Sequence, residues 1–130
     1  MNEGVNPIGA IAWIDLTVAD AEGIRNFYRD VVGWEAGELD MGGYPDFNMM
    51  EPGTGTPVAG VCHARGDNAD LPPQWLVYIV VASLDESLAR CVARGGSLVA
   101  GPKGEVGSER FAVIRDPAGA VCALFERAAS

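Results

Sequence analysis

The stretch Ile14-Asp15-Leu16-Thr17-Val18, followed by a helical pattern over residues 21–32 and by Gly33, decides the fold because the chain repeats it. Alternating side chains predict a strand, apolar residues at three- and four-residue steps predict a helix, and glycine commonly ends a helix. Val81 corresponds to Val18 about 63 residues later, which indicates two copies of one supersecondary unit. The second copy consists of residues 76–81, residues 84–94 and Gly95-Gly96.

Each predicted helix is followed by three short strand patterns that glycine- and proline-bearing turns separate. The pattern βαβββ therefore occurs twice, which predicts an α+β fold. We expect one domain over residues 1–130, with module one at about 8–66 and module two at about 74–127. The predicted strands cover residues 34–39, 44–50 and 58–65 in the first copy, and about 98–100, 110–115 and 120–126 in the second.

Composition and charge exclude several classes of protein. Hydrophobic residues make up 48% of the chain and charged residues 21%, which is typical of a soluble globular domain. The longest apolar run, residues 75–82, is too short to span a bilayer, and Met1–Pro7 lacks the pattern of a signal peptide. We therefore expect no membrane association and a cytoplasmic location. A net charge of −9 without a basic cluster also argues against nucleic acid as a partner.

The three cysteines, Cys62, Cys91 and Cys122, form no CxxC pair. Each has apolar neighbours, and an odd number does not suit a disulfide framework. We interpret them as reduced thiols that pack as small apolar side chains.

Short motifs that punctuate the two copies follow one another from about Ile8 to Glu126. The motifs are Val18-Ala19-Asp20, Phe27-Tyr28 with Val32-Gly33-Trp34, Gly95-Gly96 and Asp116-Pro117-Ala118-Gly119. In the order and spacing of these motifs, the sequence resembles the vicinal oxygen chelate superfamily, which includes glyoxalase I, extradiol dioxygenases, fosfomycin resistance enzymes and bleomycin-binding proteins. The resemblance implies two βαβββ modules whose curved mixed sheets surround a cavity, and it implies a homodimer.

The metal enzymes of this superfamily take His, Gln or Glu ligands from the first and last strands of each module. At the corresponding positions this chain has Trp13, then Leu76 or its neighbour Trp75, and Ala123. A shift of about 60 residues along the last strands places His63, the only histidine, at the fourth position. One imidazole does not make a divalent metal site, so we expect no metal cofactor.

Residues two steps apart on a strand share a face, so the ligand positions of the family predict which side chains line the cavity. The set is mostly apolar and aromatic with a few polar groups, which is typical of a small-molecule site. Trp13 and Tyr78 are suited to stack on a planar ligand, and Arg65 to pair with an anionic group on the ligand or with Asp15. His63 is a candidate general base. The predicted ligand-binding residues are Trp13, Asp15, His63, Arg65, Tyr78 and Phe125.

The function predicted from these residues is metal-independent binding of a metabolite or antibiotic. One alternative is an enzyme: a glyoxalase-like lyase or isomerase, or a dioxygenase, with a non-standard site that uses His63. A second alternative is a subunit that acts by contact with a partner through Trp34 and Trp75. Each site residue also has a purely structural interpretation, as core filling or as a salt bridge. The identity of the ligand depends on loops 39–57 and 101–110, which carry no recognisable motif.

Overall fold

The computed structural model describes residues 7–105 and 107–128, and within them the order βαβββ occurs twice. The predicted glyoxalase/bleomycin resistance-like α+β fold is confirmed. The first repeat contains β1 (Ile11–Val18), α1 (Ala21–Val32), β2 (Glu35–Asp40), β3 (Pro45–Met50) and β4 (Pro57–His63), followed by a 3₁₀ turn at Gly66–Asn68. The second contains β5 (Trp75–Val80), α2 (Leu84–Ala93), β6 (Ser97–Lys103), β7 (Arg110–Arg115) and β8 (Val121–Glu126).

The contacts within the chain define two compact units. The N-terminal unit runs from Ile14 to Trp75, and the C-terminal unit contains the residues from Leu76 onward together with those up to Trp13. Backbone hydrogen bonds tie this first segment to the C-terminal unit: the N–H of Gly9 donates to the carbonyl of Val80 over 2.8 Å, and the N–H of Val80 donates to that of Ala10 over 2.9 Å.

In the N-terminal unit the strands lie in the order β2-β3-β4-β1, with β4 parallel to β1 and the other pairs antiparallel. The side chain of Asp20 accepts from the N–H of Gly23 over 2.9 Å and so caps α1, and Gly33, with φ +88°, ends it. The helix packs one apolar stripe against the sheet. The buried core between α1 and the sheet consists of Ala21, Phe47, Met49, Ala59 and Val61.

In the C-terminal unit the order is β5-β8-β7-β6, with β5 parallel to β8 and the other pairs antiparallel. The hydroxyl of Ser83 accepts from the N–H of Glu86 and caps α2. The helix covers one face of the sheet, where Leu84, Ala112 and Leu124 form the buried core. Neither described helix is long and apolar enough to cross a membrane.

Candidate functional site

The face of the C-terminal sheet that α2 does not cover is rich in aromatic side chains. Ile79 and Leu124 pair with each other and pack under α2, so their strand neighbours point to the opposite side. That side carries Tyr78, Phe111 and Phe125, and we call these three residues the aromatic face. The ring centroids of Tyr78 and Phe111 lie 5.9 Å apart, and Phe111 pairs directly with Phe125 across β7 and β8.

A cation lies at the edge of the aromatic face. Lys103 pairs with Phe111 across β6 and β7, and its Nζ is 5.7 Å from the centroid of the Phe111 ring. Ammonium groups at such distances are attracted to the ring face. Tyr78 and Phe125 share this face, as the sequence predicted. The predicted residues included neither Phe111 on this face nor Lys103 at its edge. The alternation of β7 pointed to Phe111, but only the pairing of β6 with β7 reveals the position of Lys103.

The corresponding face of the N-terminal sheet is polar. Asp15, Thr17 and Cys62 share it, because Thr17 pairs with Cys62, and Asp15 lies two residues before Thr17. Asp46 precedes the core residue Phe47, and its Oδ1 accepts from the N–H of His63 over 2.9 Å. Burial raises the pKa of the Cys62 thiol, and the nearby carboxylates of Asp15 and Asp46 raise it further. This face therefore holds a protonated thiol beside two carboxylates.

His63 lies on the other side of the N-terminal sheet, so the prediction that it shares a face with Asp15 is wrong. It pairs with Val18, and its neighbour two residues before, Val61, belongs to the core under α1. The ring centroids of His63 and Tyr44 lie 5.4 Å apart. Nδ1 of His63 is 3.4 Å from Oδ1 of Asp46. Only 14% of the side chain is exposed.

The error came from the shift used to align the last strands. Asp15 pairs with Gly60 in the N-terminal unit, and Tyr78 pairs with Ala123 in the C-terminal unit. Tyr78 follows Asp15 by the same 63 residues that separate Ala123 from Gly60, so β1 and β4 have the same offset to β5 and β8. The fourth family ligand position is therefore Gly60, and the position equivalent to Trp13 is Leu76.

Of the other predicted residues, Arg65 packs on the same Tyr44 ring as His63. Arg65 follows the end of β4, and its guanidinium carbon lies 3.9 Å from the ring centroid of Tyr44. Trp13 is a partly buried residue of β1. The indole N–H of Trp75 donates to the hydroxyl of Tyr28 over 3.1 Å, which places Trp75 in an aromatic cluster of the N-terminal unit. The contact of each predicted residue with a ligand stays a prediction.

A groove of about 550 Å³ lies between α1 and β2; none of the predicted ligand-binding residues lines it, but Trp34, a predicted partner-contact residue, does. Its floor includes Phe47, which the guanidinium of Arg25 already covers at 4.5 Å from the ring centroid. Charges of both signs surround it. The lining residues are Arg25, Arg29, Asp30, Trp34, Glu35, Ala36, Glu38 and Phe47.

The sequence from residue 10 to residue 124 matches the model of the Glyoxalase/Bleomycin resistance protein/Dioxygenase superfamily. The chain belongs to this superfamily. Its curated relatives include the anthracycline biosynthesis protein DnrV of Streptomyces peucetius, which is 30% identical over 92% of this chain and 47% of the relative. The putative glyoxylase CFP32 of Mycobacterium tuberculosis is 27% identical over 95% and 46%, respectively. The chain thus spans about half the length of these relatives.

Solved structures of the superfamily share the fold. The methylmalonyl-CoA epimerase of Mycobacterium tuberculosis superposes with a TM-score of 0.55 at 18% identity and covers 98% of this chain and 93% of its own. A superfamily member from Vibrio splendidus gives 0.56 at 14% identity, with coverages of 88% and 96%. At these identities the likeness establishes the fold alone.

The residues at the superfamily's ligand positions do not fit a divalent metal. The register assigns these positions to Trp13, Gly60, Leu76 and Ala123, and none of the four side chains is a metal ligand. Within residues 7–105 and 107–128, no group of three His, Cys, Asp or Glu side chains is arranged to hold a metal ion. Among the residues that the structure describes, these four positions therefore provide no side-chain donor for a divalent ion.

Proposed function

We propose that the protein binds a planar organic molecule, without a metal, on the aromatic face of its C-terminal unit. The observation that carries this proposal is the pair of rings Tyr78 and Phe111, 5.9 Å apart on the sheet face that α2 leaves uncovered. Both side chains are partly exposed, whereas Phe125 beside them is buried. Rings with such spacing and exposure offer a stacking surface for a flat ligand.

The names of the relatives support a ligand of this class. Two of them, from Streptomyces species, are anthracycline biosynthesis proteins, and anthracyclines contain a flat system of fused rings. We therefore propose an aromatic metabolite or antibiotic as the ligand. Lys103 is suited to contact a carboxylate or phenolate at the edge of such a ligand. Trp13 remains a proposed second stacking residue.

Metal independence rests on the register. Gly60 and Ala123 occupy the positions from which the last strands of the superfamily's metal enzymes provide ligands, and neither side chain has a donor atom. The alternative function, a lyase, isomerase or dioxygenase that uses His63, has less support. The imidazole of His63 packs against Tyr44 on the face opposite Asp15, and 14% of it is exposed.

Two further proposals rest on the sequence and on the family resemblance. The composition, which is typical of a soluble globular domain, supports a cytoplasmic location. The domains of the vicinal oxygen chelate superfamily, which this sequence resembles, often pair as dimers, and this supports a homodimer.

A thermal shift assay of the full chain with an anthracycline tests the function. At 100 times its dissociation constant, the ligand should stabilise the protein by about 2.7 kcal/mol, and to the same extent in EDTA. Tyr78→Ala should abolish the shift. Tyr44→Ala, which removes a ring from the N-terminal unit, is the matched control and should retain it. The proposal fails if neither an anthracycline nor a panel of simpler aromatic acids gives a shift, or if stabilisation requires added Ni, Zn, Fe or Mn.

A further inference from the structure

Two thiols lie in the layer between α2 and the C-terminal sheet. Cys122 belongs to β8 and pairs with Ile114, which packs against the core under α2. Paired residues share a face, so Cys122 points toward the helix. Cys91 belongs to α2 itself and follows Leu88, which packs against the same core, by nearly one turn.

The position of Cys91 along the sheet follows from the glycine that succeeds α2. A Cβ built on Gly96 would lie 2.6 Å from Sγ of Cys91 and 2.8 Å from the carbonyl oxygen of Arg115. The sulfur therefore lies beside the end of β7. Arg115 pairs with Val121, the residue directly before Cys122, so both thiols lie at the same end of the β7–β8 ladder.

Both residues are free cysteines, and neither is fully buried. We propose that Cys91 and Cys122 are an oxidation site, at which a hydroperoxide converts the two thiols into a reversible intramolecular disulfide. The superfamily's ligand positions and the aromatic face play no part in this reaction, so it does not depend on the proposed ligand.

The reaction balances in two steps. The sulfur of one cysteine attacks the peroxide, the O–O bond breaks, and a sulfenic acid forms with release of water or an alcohol. The second thiol then attacks the sulfenic sulfur, the S–O bond breaks, an S–S bond forms and water leaves. Two sulfurs are each oxidised by one electron, and the peroxide takes up both electrons.

Burial raises the pKa of Cys122, and the charge of Asp116 and the nearby Cys91 raise it further. The two steps balance whichever of the two thiols attacks the peroxide first. Cys62 is an internal control, because it lies in the N-terminal unit beside Asp15 and Asp46, and its pKa is raised by burial and by these carboxylates.

The test is thiol counting on the reduced full chain at low protein concentration. After hydrogen peroxide, and then iodoacetamide in guanidinium chloride to expose every remaining thiol, intact mass should show one alkylated cysteine instead of three. Peptide mapping should find Cys91 joined to Cys122 and Cys62 alkylated, and dithiothreitol should restore all three thiols.

Matched variants separate this result from general oxidation. Cys62→Ala should still lose two thiols at the same peroxide dose, whereas Cys91→Ala and Cys122→Ala should each form no intramolecular disulfide; circular dichroism checks that each variant folds. Three alkylated cysteines after treatment, a disulfide that includes Cys62, or only disulfide-linked dimers on a non-reducing gel would overturn the proposal. Because the readout is covalent, its failure is independent of any failure to bind an aromatic ligand.

Discussion

Gly96 shows how a single hydrogen in place of a side chain permits close packing of α2 on its sheet. The N–H of Gly96 donates to the carbonyl of Cys91 over 2.8 Å and completes the turn that ends the helix. A methyl group here would press on the Cys91 sulfur from one side and on the Arg115 carbonyl from the other. The second obstacle is backbone, which a change of rotamer does not remove.

We expect Gly96→Ala to lower the free energy of unfolding by about 1–3 kcal/mol, as overpacking of a fitted site does. Urea denaturation measures this change. Gly37→Ala is the matched control, because its Cβ would meet only the flexible end of Met50 at 3.1 Å. It should change stability by no more than about 0.5 kcal/mol. Equal losses in both variants would contradict the steric argument.

The Cys62 thiol predicts a dependence of stability on alkaline pH. Burial and the charges of Asp15 and Asp46 raise its pKa above the ordinary value of 9.0, so the native state retains a proton that the unfolded chain loses. This contribution to stability is complete below the ordinary pKa and is lost as the pH rises above it, by up to about 1.4 kcal/mol per pH unit.

Unfolding free energies measured in urea from pH 8 to pH 10 should therefore fall less steeply for Cys62→Ala than for the wild type. Val58→Ala, on the same strand, removes apolar volume without removing a titrating group, and it should retain the wild-type slope. Parallel curves for the wild type and Cys62→Ala would show that Cys62 ionises as freely in the folded state as in the unfolded chain.

At the scale of elements, Arg110 links the first turn of α2 to the sheet by hydrogen bonds. The guanidinium of Arg110, on β7, donates to both carboxylate oxygens of Asp85 over 3.1 and 3.3 Å and lies 3.9 Å from Oε2 of Glu126. Oε1 of Glu126 in turn accepts from the N–H of Leu84 over 2.7 Å. Residues of α2, β7 and β8 thus form one charge network. Through Glu126 it gives a hydrogen-bond acceptor to one of the backbone N–H groups that have no partner within the first turn of α2.

Arg110→Met should lower the urea midpoint of unfolding, because it leaves Glu126 without its cation while the apolar packing of the stem is kept. Arg90→Met is the control, since Arg90 is exposed on the same helix. We expect its midpoint to stay close to that of the wild type. If the two variants unfold at the same midpoint, the network does not hold α2 in place.

The elements themselves follow largely from local sequence. Gly33 and the capping residue Asp20 fix α1 nearly to the residue, and the alternation along β5 and β8 places Tyr78 and Phe125 on one face of the sheet. What local sequence does not contain is the register between strands far apart in the chain. For that reason His63 was assigned to the wrong face, and Lys103 beside Phe111 was not found.

At the scale of the whole molecule, the homodimer that we propose from the family resemblance can be tested by measuring the mass of the protein in solution. We expect two copies to associate, and light scattering after size exclusion should give about twice the chain mass of 13.6 kDa. A mass that stays at 13.6 kDa across the concentration range used for ligand binding would contradict the homodimer. Raised salt should leave the dimer intact if apolar contacts hold it.

The offset of 63 residues that relates β1 and β4 to β5 and β8 has a consequence for the history of the chain. Asp15 and Tyr78 are counterparts, as are Cys62 and Phe125, so two polar residues of the N-terminal sheet have aromatic counterparts in the C-terminal sheet, whereas Thr17 corresponds to Val80. This is the pattern of a duplicated segment whose two descendants kept their backbone and specialised their chemistry. Reconstructed ancestors of the two halves should converge on one sequence in the strands before they converge in the loops.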